Sequence, residues 1–275
     1  MHQKRLAAGP AGIPALGLGT WPMSNAEAER LVPLALEVGY RHVDTARMYG
    51  NEAGVGRGLA ASPVPRGEVF LTTKIWPDDH APERLRAAAE DSLKTLGVEA
   101  VDLLLLHWPS REIPFEETIP ALVKIAEDGL AAHVGVSNFT RAQMPKAQEI
   151  AGGRLACNQV EFHPFLDQSA LIAEAAALGL DVVAYSPLAK GDAPAHPTVR
   201  EIAERLSAAP SAVVLAWILA RGAGAAPKTA TPERLAGNLS AMALELGADD
   251  LAALDALASP DGRRVNPGSV APDWD

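Results

Sequence analysis

VFLTTKI at 69–75, PERLRAAAEDSLKTL at 82–96 and VDLLLLH at 101–107 decide how this chain folds. The outer two segments are short apolar runs of strand length. The middle one is helix-length, with apolar and charged residues interleaved. A strand, a helix-length spacer and a second strand make a βαβ unit, and repeated units of this kind build a parallel sheet.

The same alternation runs outward in both directions. Strand-like runs recur at 15–20 (ALGLGT), 40–45 (YRHVDT), 132–138 (AHVGVSN), 155–162 (LACNQVEF), 181–186 (DVVAYS) and 223–229 (AGAAPKT). Helix-like stretches lie at 26–38, 115–127, 169–178 and 231–238. Eight strands is the number that closes a barrel, so the expectation is an α/β chain forming a single (β/α)8 TIM barrel over residues 1–275. A doubly wound open sheet is the runner-up, and it normally carries a glycine-rich phosphate loop after its first strand. Here GNEAGVGRG (50–58) follows the second strand and does not fit GxGxxG. Gly54, Gly56 and Gly58 therefore read as close-packing positions on a helix. The last seventeen residues, SPDGRRVNPGSVAPDWD (259–275), have no helical period and read as a covering loop.

A net charge of −10 repels phosphate backbones and anionic lipid surfaces. No basic cluster exceeds two residues; Arg263-Arg264, in the tail, reads as a solvated loop, with attraction of a substrate carboxylate as the alternative, so neither nucleic acid nor membrane is an expected partner. Cys157 is the single cysteine and sits in an apolar run, so it reads as an inert core thiol in a chain without internal disulfides. The first residues, MHQKRLAAGPAG, lack the apolar core of a signal peptide, and no apolar run is long enough to cross a bilayer. A cytoplasmic location is the expectation.

Polar residues gather where the runs end. Strand two ends at Asp44, strand three at Lys74, strand four at His107 and strand five at Ser137-Asn138. Strand six carries Gln159, with Glu161 a second candidate acid two residues on; strand seven ends at Tyr185-Ser186 and strand eight at Lys228-Thr229. Any one of these could be a turn former or helix cap. In a barrel, however, all C-terminal strand ends meet at one face, where active sites lie. A metal hydrolase needs inward His and carboxylate ligands, but His80, His107, His133, His163 and His196 are scattered and form no HxH or HExxH pair. No metal is expected. A glycosidase needs two opposed carboxylates, and Asp44 is the clear strand-end acid. One Asp, one Lys, one His and a nearby Tyr suit proton donation to a carbonyl oxygen.

The local motifs resemble those of the aldo-keto reductases. GYRHVDTARMYGNEAGVGRGL (39–59) resembles the family signature around its catalytic Asp and Tyr. LTTKIW (71–76) resembles the segment holding the Lys, and VDLLLLHWP (101–109) the one holding the His. GLGTW (17–21), GVSNF (135–139), NQVEFHP (158–164), AYSPLAKG (184–191) and APKTATPERLAGN (226–238) are similar to the remaining family segments. The short loops and the ending APDWD look most like the bacterial diketogluconate-reductase branch, which includes methylglyoxal-reducing enzymes.

The resemblance implies NADPH-dependent reduction of small aldehydes, ketones or keto-sugar acids of the methylglyoxal or 2,5-diketo-D-gluconate type. It casts Tyr49 as general acid, with Lys74 lowering its pKa, Asp44 fixing Lys74, and His107 orienting the substrate carbonyl. Thr20, Asp44, Ser137, Asn138, Gln159 and Tyr185 would surround the nicotinamide, and Ser186, Pro187 and Leu188 would track the pyrophosphate. Lys228, Thr229 and Arg234 would grip the 2′-phosphate, and Asn238 would contact adenine. The family usually has Glu one residue before that Asn, whereas this chain has Gly237. Trp21, Trp76, Trp108 and Trp274 would join His107 around a flat substrate slot, with the tail as lid, while His163 reads as structural. A monomer is the family-based expectation. The rival readings are a family barrel kept as a regulatory subunit, which the four filled catalytic positions oppose, and a hydrolase built on Asp44 and His107.

Overall fold

A computed structural model describes residues 4–275. Eight parallel strands pair in chain order: β1 (Leu18–Gly19), β2 (His42–Asp44), β3 (Phe70–Ile75), β4 (Val101–Leu106), β5 (Ala131–Ser137), β6 (Leu155–Glu161), β7 (Asp181–Tyr185) and β8 (Gly224–Ala225). A parallel bridge between Leu16 and Ala225 joins the last strand to the first and closes the TIM barrel. Helices fill the outer ring between the strands. Helix Pro82–Leu96 has the bounds its sequence suggests, with proline at its first turn and a left-handed Gly97 stopping it.

Side-chain parity divides the core in two. Along β4, Leu104 and Leu106 join the large cluster between sheet and helices, while Leu103 and Leu105 face the barrel interior with Phe70, Cys157 and Val183. Burying each such leucine contributes roughly 1.5–3 kcal/mol. The same alternation along β3 sends Leu71 and Ile75 outward and Phe70 inward. Thr72 and Lys74 share the parity of Phe70, and Lys74 is two steps nearer the C-terminal rim.

The outer strands are shorter than the sequence suggests. The last strand stops at Ala225, two residues before Pro227, which has no N–H to donate. The N-terminal stretch holds a feature the sequence reading missed: residues 4–15 double back, with Leu6 N–H donating to Ile13 O at 2.8 Å. Ile13, with Leu6 and Ala11 against it, packs onto the barrel's inner cluster. The glycines of helix Glu52–Ala61 do permit close packing. A Cβ on Gly54 would lie 2.2 Å from Asn25 O, and one on Gly56 would lie 2.2 Å from Leu96 O.

Candidate active site

The strand-end residues converge at the C-terminal rim. Lys74 is fully buried at the end of β3, and its ammonium donates to Asp44 Oδ1 at 2.6 Å and to Thr45 O at 2.8 Å. It also lies 3.3 Å from the Tyr49 hydroxyl, which a short 3-10 turn at Arg47–Tyr49 carries just beyond β2. The second Asp44 oxygen accepts from Gln159 Nε2 at 2.7 Å. Three strands, β2, β3 and β6, and the turn after β2 thus contribute to a single hydrogen-bonded cluster of Asp44, Lys74, Tyr49 and Gln159. The His107 ring meets Tyr49 edge-on at 5.6 Å and Trp76 at 5.1 Å.

Burial alone would depress the Lys74 pKa, but the charges of Asp44 and Tyr49 and their hydrogen bonds outweigh it and leave the value raised. Tyr49 departs from expectation. Burial pushes its phenol above the usual value, and the opposing pull of Lys74 reduces the shift without reversing it. The lysine shares its charge with a carboxylate in direct contact, so less of it acts on the phenol. Burial, helped by Lys74, pulls His107 well below the usual imidazole value, so the ring is neutral at pH 7. Its Nδ1 is buried with no hydrogen-bond partner.

The residues expected around a nicotinamide form a second, adjoining network. Ser137 Oγ donates to Gln159 O at 2.7 Å, Asn138 Nδ2 to His107 O at 3.0 Å, and the Tyr185 hydroxyl to Asn138 Oδ1 at 2.8 Å. Asn138 (φ 63°) and Ser186 (φ 47°) hold left-handed backbone at the ends of β5 and β7. Strain of this kind collects at ligand-binding positions. Thr20 Oγ1 is fully buried and unpartnered. Pro187 and Leu188 continue the β7 loop. Lys228 lies within the electrostatic reach of Glu27, Thr229 Oγ1 donates to Thr231 O at 3.2 Å, and Arg234 is exposed on helix Glu233–Leu239. Asn238 is buried near the Tyr40 hydroxyl, which donates to Leu235 O at 3.2 Å. A Cβ at Gly237 would find only Ala209 Cβ, at 3.9 Å.

The tryptophans divide into two groups. Trp21 and Trp76 stand against the rings of Tyr49 and His107. Trp108 is buried under the tail, edge-on to Trp274 at 6.1 Å and packed with Val270 and Ala271. Glu161 emerges as a residue whose part the sequence reading missed. It is fully buried and accepts from the backbone N–H groups of Arg264 (2.7 Å) and Val265 (3.0 Å), and it lies 3.0 Å from His163 Nε2. Its parity with Gln159 on β6 was the available signal. The tail is pinned again at its end, where Asp275 accepts from the N–H groups of Arg141 and Ala142. Arg263 is not a solvated charge: its guanidinium lies 3.5 Å from the Trp274 ring centroid, and its side chain is 17% exposed. Cys157 is buried, and burial pushes its thiol up.

A barrel with a Tyr–Lys–Asp cluster beside a neutral histidine at its C-terminal rim belongs to the class of carbonyl oxidoreductases. The chain is a member of the aldo/keto reductase family, whose model matches residues 12–259. It is 40% identical over 266 residues to the methylglyoxal reductase DkgB of Escherichia coli O157:H7, covering 96% of this chain and 99% of that protein. It is 41% identical to an aldo-keto reductase of Mycolicibacterium vanbaalenii over 93% of this chain and 91% of that one. A crystal structure bearing the name 2,5-diketo-D-gluconic acid reductase B superposes with a TM-score of 0.97 at 42% identity, covering 100% of this chain and 98% of that one. The Bombyx mori aldo-keto reductase in complex with NADP superposes with a TM-score of 0.88 at 31% identity, covering 98% and 97%. The family uses a nicotinamide cofactor. Among the described residues, no helix is long and apolar enough to cross a membrane.

Proposed function

We propose that this chain is an NADPH-dependent reductase of small aldehydes, ketones and keto-sugar acids, of the methylglyoxal or 2,5-diketo-D-gluconate type, with Tyr49 as general acid. The observation that carries the reading is the Lys74 ammonium, held between Asp44 Oδ1 at 2.6 Å and the Tyr49 hydroxyl at 3.3 Å. The orphaned Thr20 Oγ1, the left-handed Asn138 and Ser186 and the exposed Arg234 fit a phosphorylated nicotinamide dinucleotide.

When bound, that cofactor supplies the hydride equivalent that goes to the carbonyl carbon. Tyr49 is protonated at neutral pH, because burial raises its pKa, so its hydroxyl has a proton to give to the carbonyl oxygen. The phenolate left behind lies beside the Lys74 ammonium, which is kept charged and in place by Asp44. Neutral His107 presents an N–H toward the same oxygen, where negative charge builds in the transition state. Ser137, Asn138 and Gln159 would hold the carboxamide, Tyr185 would lie against the ring, and Ser186, Pro187 and Leu188 would follow the pyrophosphate. Lys228, Thr229 and Arg234 would hold the 2′-phosphate. Two cations and a hydroxyl favour the phosphorylated cofactor, since the unphosphorylated one leaves them unmatched. Asn238 would contact adenine, and the missing carboxylate at Gly237 would remove one contact there. Trp21, Trp76, Trp108, Trp274 and His107 bound the substrate slot.

The family membership, the acidic charge and the continuous barrel support a single-domain cytoplasmic monomer that binds neither nucleic acid nor membrane. With methylglyoxal as substrate, kcat/KM for NADPH is expected to exceed that for NADH at least tenfold, and Arg234→Leu to narrow the gap. Equal use of both cofactors by the wild type would contradict the assignment of the phosphate site.

A further inference from the structure

Asn51 lies buried two residues after Tyr49, and the proposed reaction gives it no part. It is the N-cap of helix Glu52–Ala61, a position where an asparagine side chain ordinarily accepts from a backbone N–H of the first helical turn. Asn51 makes no such bond. Asn25, at the start of helix Asn25–Val38, takes that duty: its Oδ1 accepts from Gly54 N–H at 2.6 Å, and its Nδ2 donates to Gly50 O at 2.9 Å. The Asn51 side chain is thereby free of the helix it begins.

All three of its hydrogen bonds reach other elements. Oδ1 accepts from Thr45 Oγ1 at 2.9 Å, and Nδ2 donates to Thr20 O and Met23 O, each at 3.0 Å. Two carbonyl oxygens accept only from the NH2 side of the amide, so its orientation is fixed. Thr45, fully buried just past β2, offers its own carbonyl to the Lys74 ammonium at 2.8 Å. Thr20 and Met23 bracket Trp21, whose ring stands 5.1 Å from that of Tyr49. One amide therefore joins the residue that seats Lys74, the loop that carries Trp21 and the segment that carries Tyr49. Between Tyr49 and Asn51, Gly50 is left-handed (φ 67°) and has nothing within 4 Å of its Cβ position, so packing there does not hold the turn. On the far side Glu52 Oε1 accepts from Thr73 Oγ1 at 2.6 Å, which ties the next residue to β3.

We propose that Asn51 is a positioning residue for the general acid: through Thr45 on one side and the Thr20–Met23 loop on the other, it fixes the Tyr49 hydroxyl against the Lys74 ammonium and so sets the rate of proton delivery. This rests on the reductase reading above. The Lys74–Tyr49 contact, at 3.3 Å, is the longest of the three that Lys74 makes and the first to be lost if the turn shifts. A misplacement of about 1 Å at a reacting group costs on the order of a hundredfold in rate.

Two substitutions separate positioning from packing. Asn51→Leu keeps the size and removes all three bonds, whereas Thr45→Val removes the single arm that leads to Lys74 and leaves the Thr45 carbonyl in place. Mixing the NADPH complex with saturating methylglyoxal in a single turnover gives a rate constant and an amplitude. Amplitudes are expected to stay full, while the rate constant falls about tenfold or more in Asn51→Leu and about threefold or more in Thr45→Val. KM for methylglyoxal and the NADPH affinity, read from quenching of tryptophan fluorescence, are expected to stay within about threefold of wild type, because only proton delivery is disturbed. The double variant is expected to be no slower than Asn51→Leu, which has already broken the Thr45 bond. In D2O both variants are expected to slow more than wild type, proton transfer having become limiting. Wild-type rate constants in the folded variants would overturn the proposal. So would a reduced amplitude at an unchanged rate constant, which would show that Asn51 only holds the fold together. A tenfold weaker NADPH affinity at an unchanged rate constant would also overturn it, giving Asn51 to the cofactor site through Thr20. If Asn51→Leu does not fold, Thr45→Val decides by the same criteria. A wild type that oxidises no NADPH with methylglyoxal or any other small aldehyde would instead sink the reductase reading itself.

Discussion

Replacing Lys74 by Met tests the centre of the site through stability as well as rate. The wild-type ammonium is fully buried and satisfies Asp44 Oδ1, Thr45 O and the Tyr49 hydroxyl. Methionine is similar in size but leaves Asp44, itself 4% exposed, with the hydrogen bond from Gln159 Nε2 and no neighbouring cation from β3. Removing one member of a buried pair costs about 3–5 kcal/mol, because the other charge stays desolvated. For a chain of this length, that corresponds to a fall in Tm of roughly 6–20 °C. The double variant Asp44→Asn/Lys74→Met removes both charges and is expected to recover most of the stability but none of the activity. Urea unfolding followed by tryptophan fluorescence gives the first quantity, and NADPH consumption with methylglyoxal the second. If Lys74→Met unfolds within about 1 kcal/mol of wild type, or Asp44→Asn brings nothing back, the pair is not the uncompensated buried unit described here.

Two further outcomes follow from burial and from close backbone contact. Burial pulls the His80 pKa down from 6.5 to about 4, so between those values the unfolded chain takes up a proton that the folded one refuses. Stability therefore falls as the pH drops through that window, by about 3 kcal/mol for this residue, and His80→Gln is expected to flatten the slope of Tm between pH 6.5 and 4. A slope unchanged by that substitution would show that His80 is not buried neutral. Gly262 sits where a Cβ would fall 1.7 Å from Phe165 O, so Gly262→Ala must displace the start of the tail. Limited proteolysis is expected to cut its C-terminal segment much faster than wild type, whereas Gly237→Ala, with open space around its Cβ, stays resistant. Equal resistance in both variants would mean the tail is not held by that contact.

The barrel was legible because side-chain parity and helix-length spacers repeat along the chain. Phe70, Thr72 and Lys74 alternate with Leu71, Thr73 and Ile75, so a lysine at the end of such a run must look inward at the rim. Pro82 and Gly97 mark both ends of their helix in the sequence itself. That Asp44, Tyr49, Lys74 and His107 come together was readable from strand-end positions and local motifs. Less readable was whatever depends on chain folding over chain. The N-terminal turn that seats Ile13 beneath the barrel has no periodicity to announce it. Glu161 looked like a spare acid, and Arg263 like a solvated cation, because nothing local shows that the tail returns over β6. The Tyr49 pKa was expected to fall, since a neighbouring lysine can be read from sequence but the depth of burial that outweighs it cannot.

The most direct test of the proposed chemistry is Tyr49→Phe, which removes a single hydroxyl and leaves the Lys74–Asp44 pair and the aromatic wall in place. NADPH oxidation by methylglyoxal is expected to drop at least about a hundredfold in kcat, the usual contribution of a positioned general acid, while fluorescence titration still shows NADPH bound. A variant that keeps more than a tenth of wild-type kcat would contradict the assignment of Tyr49 as the proton donor.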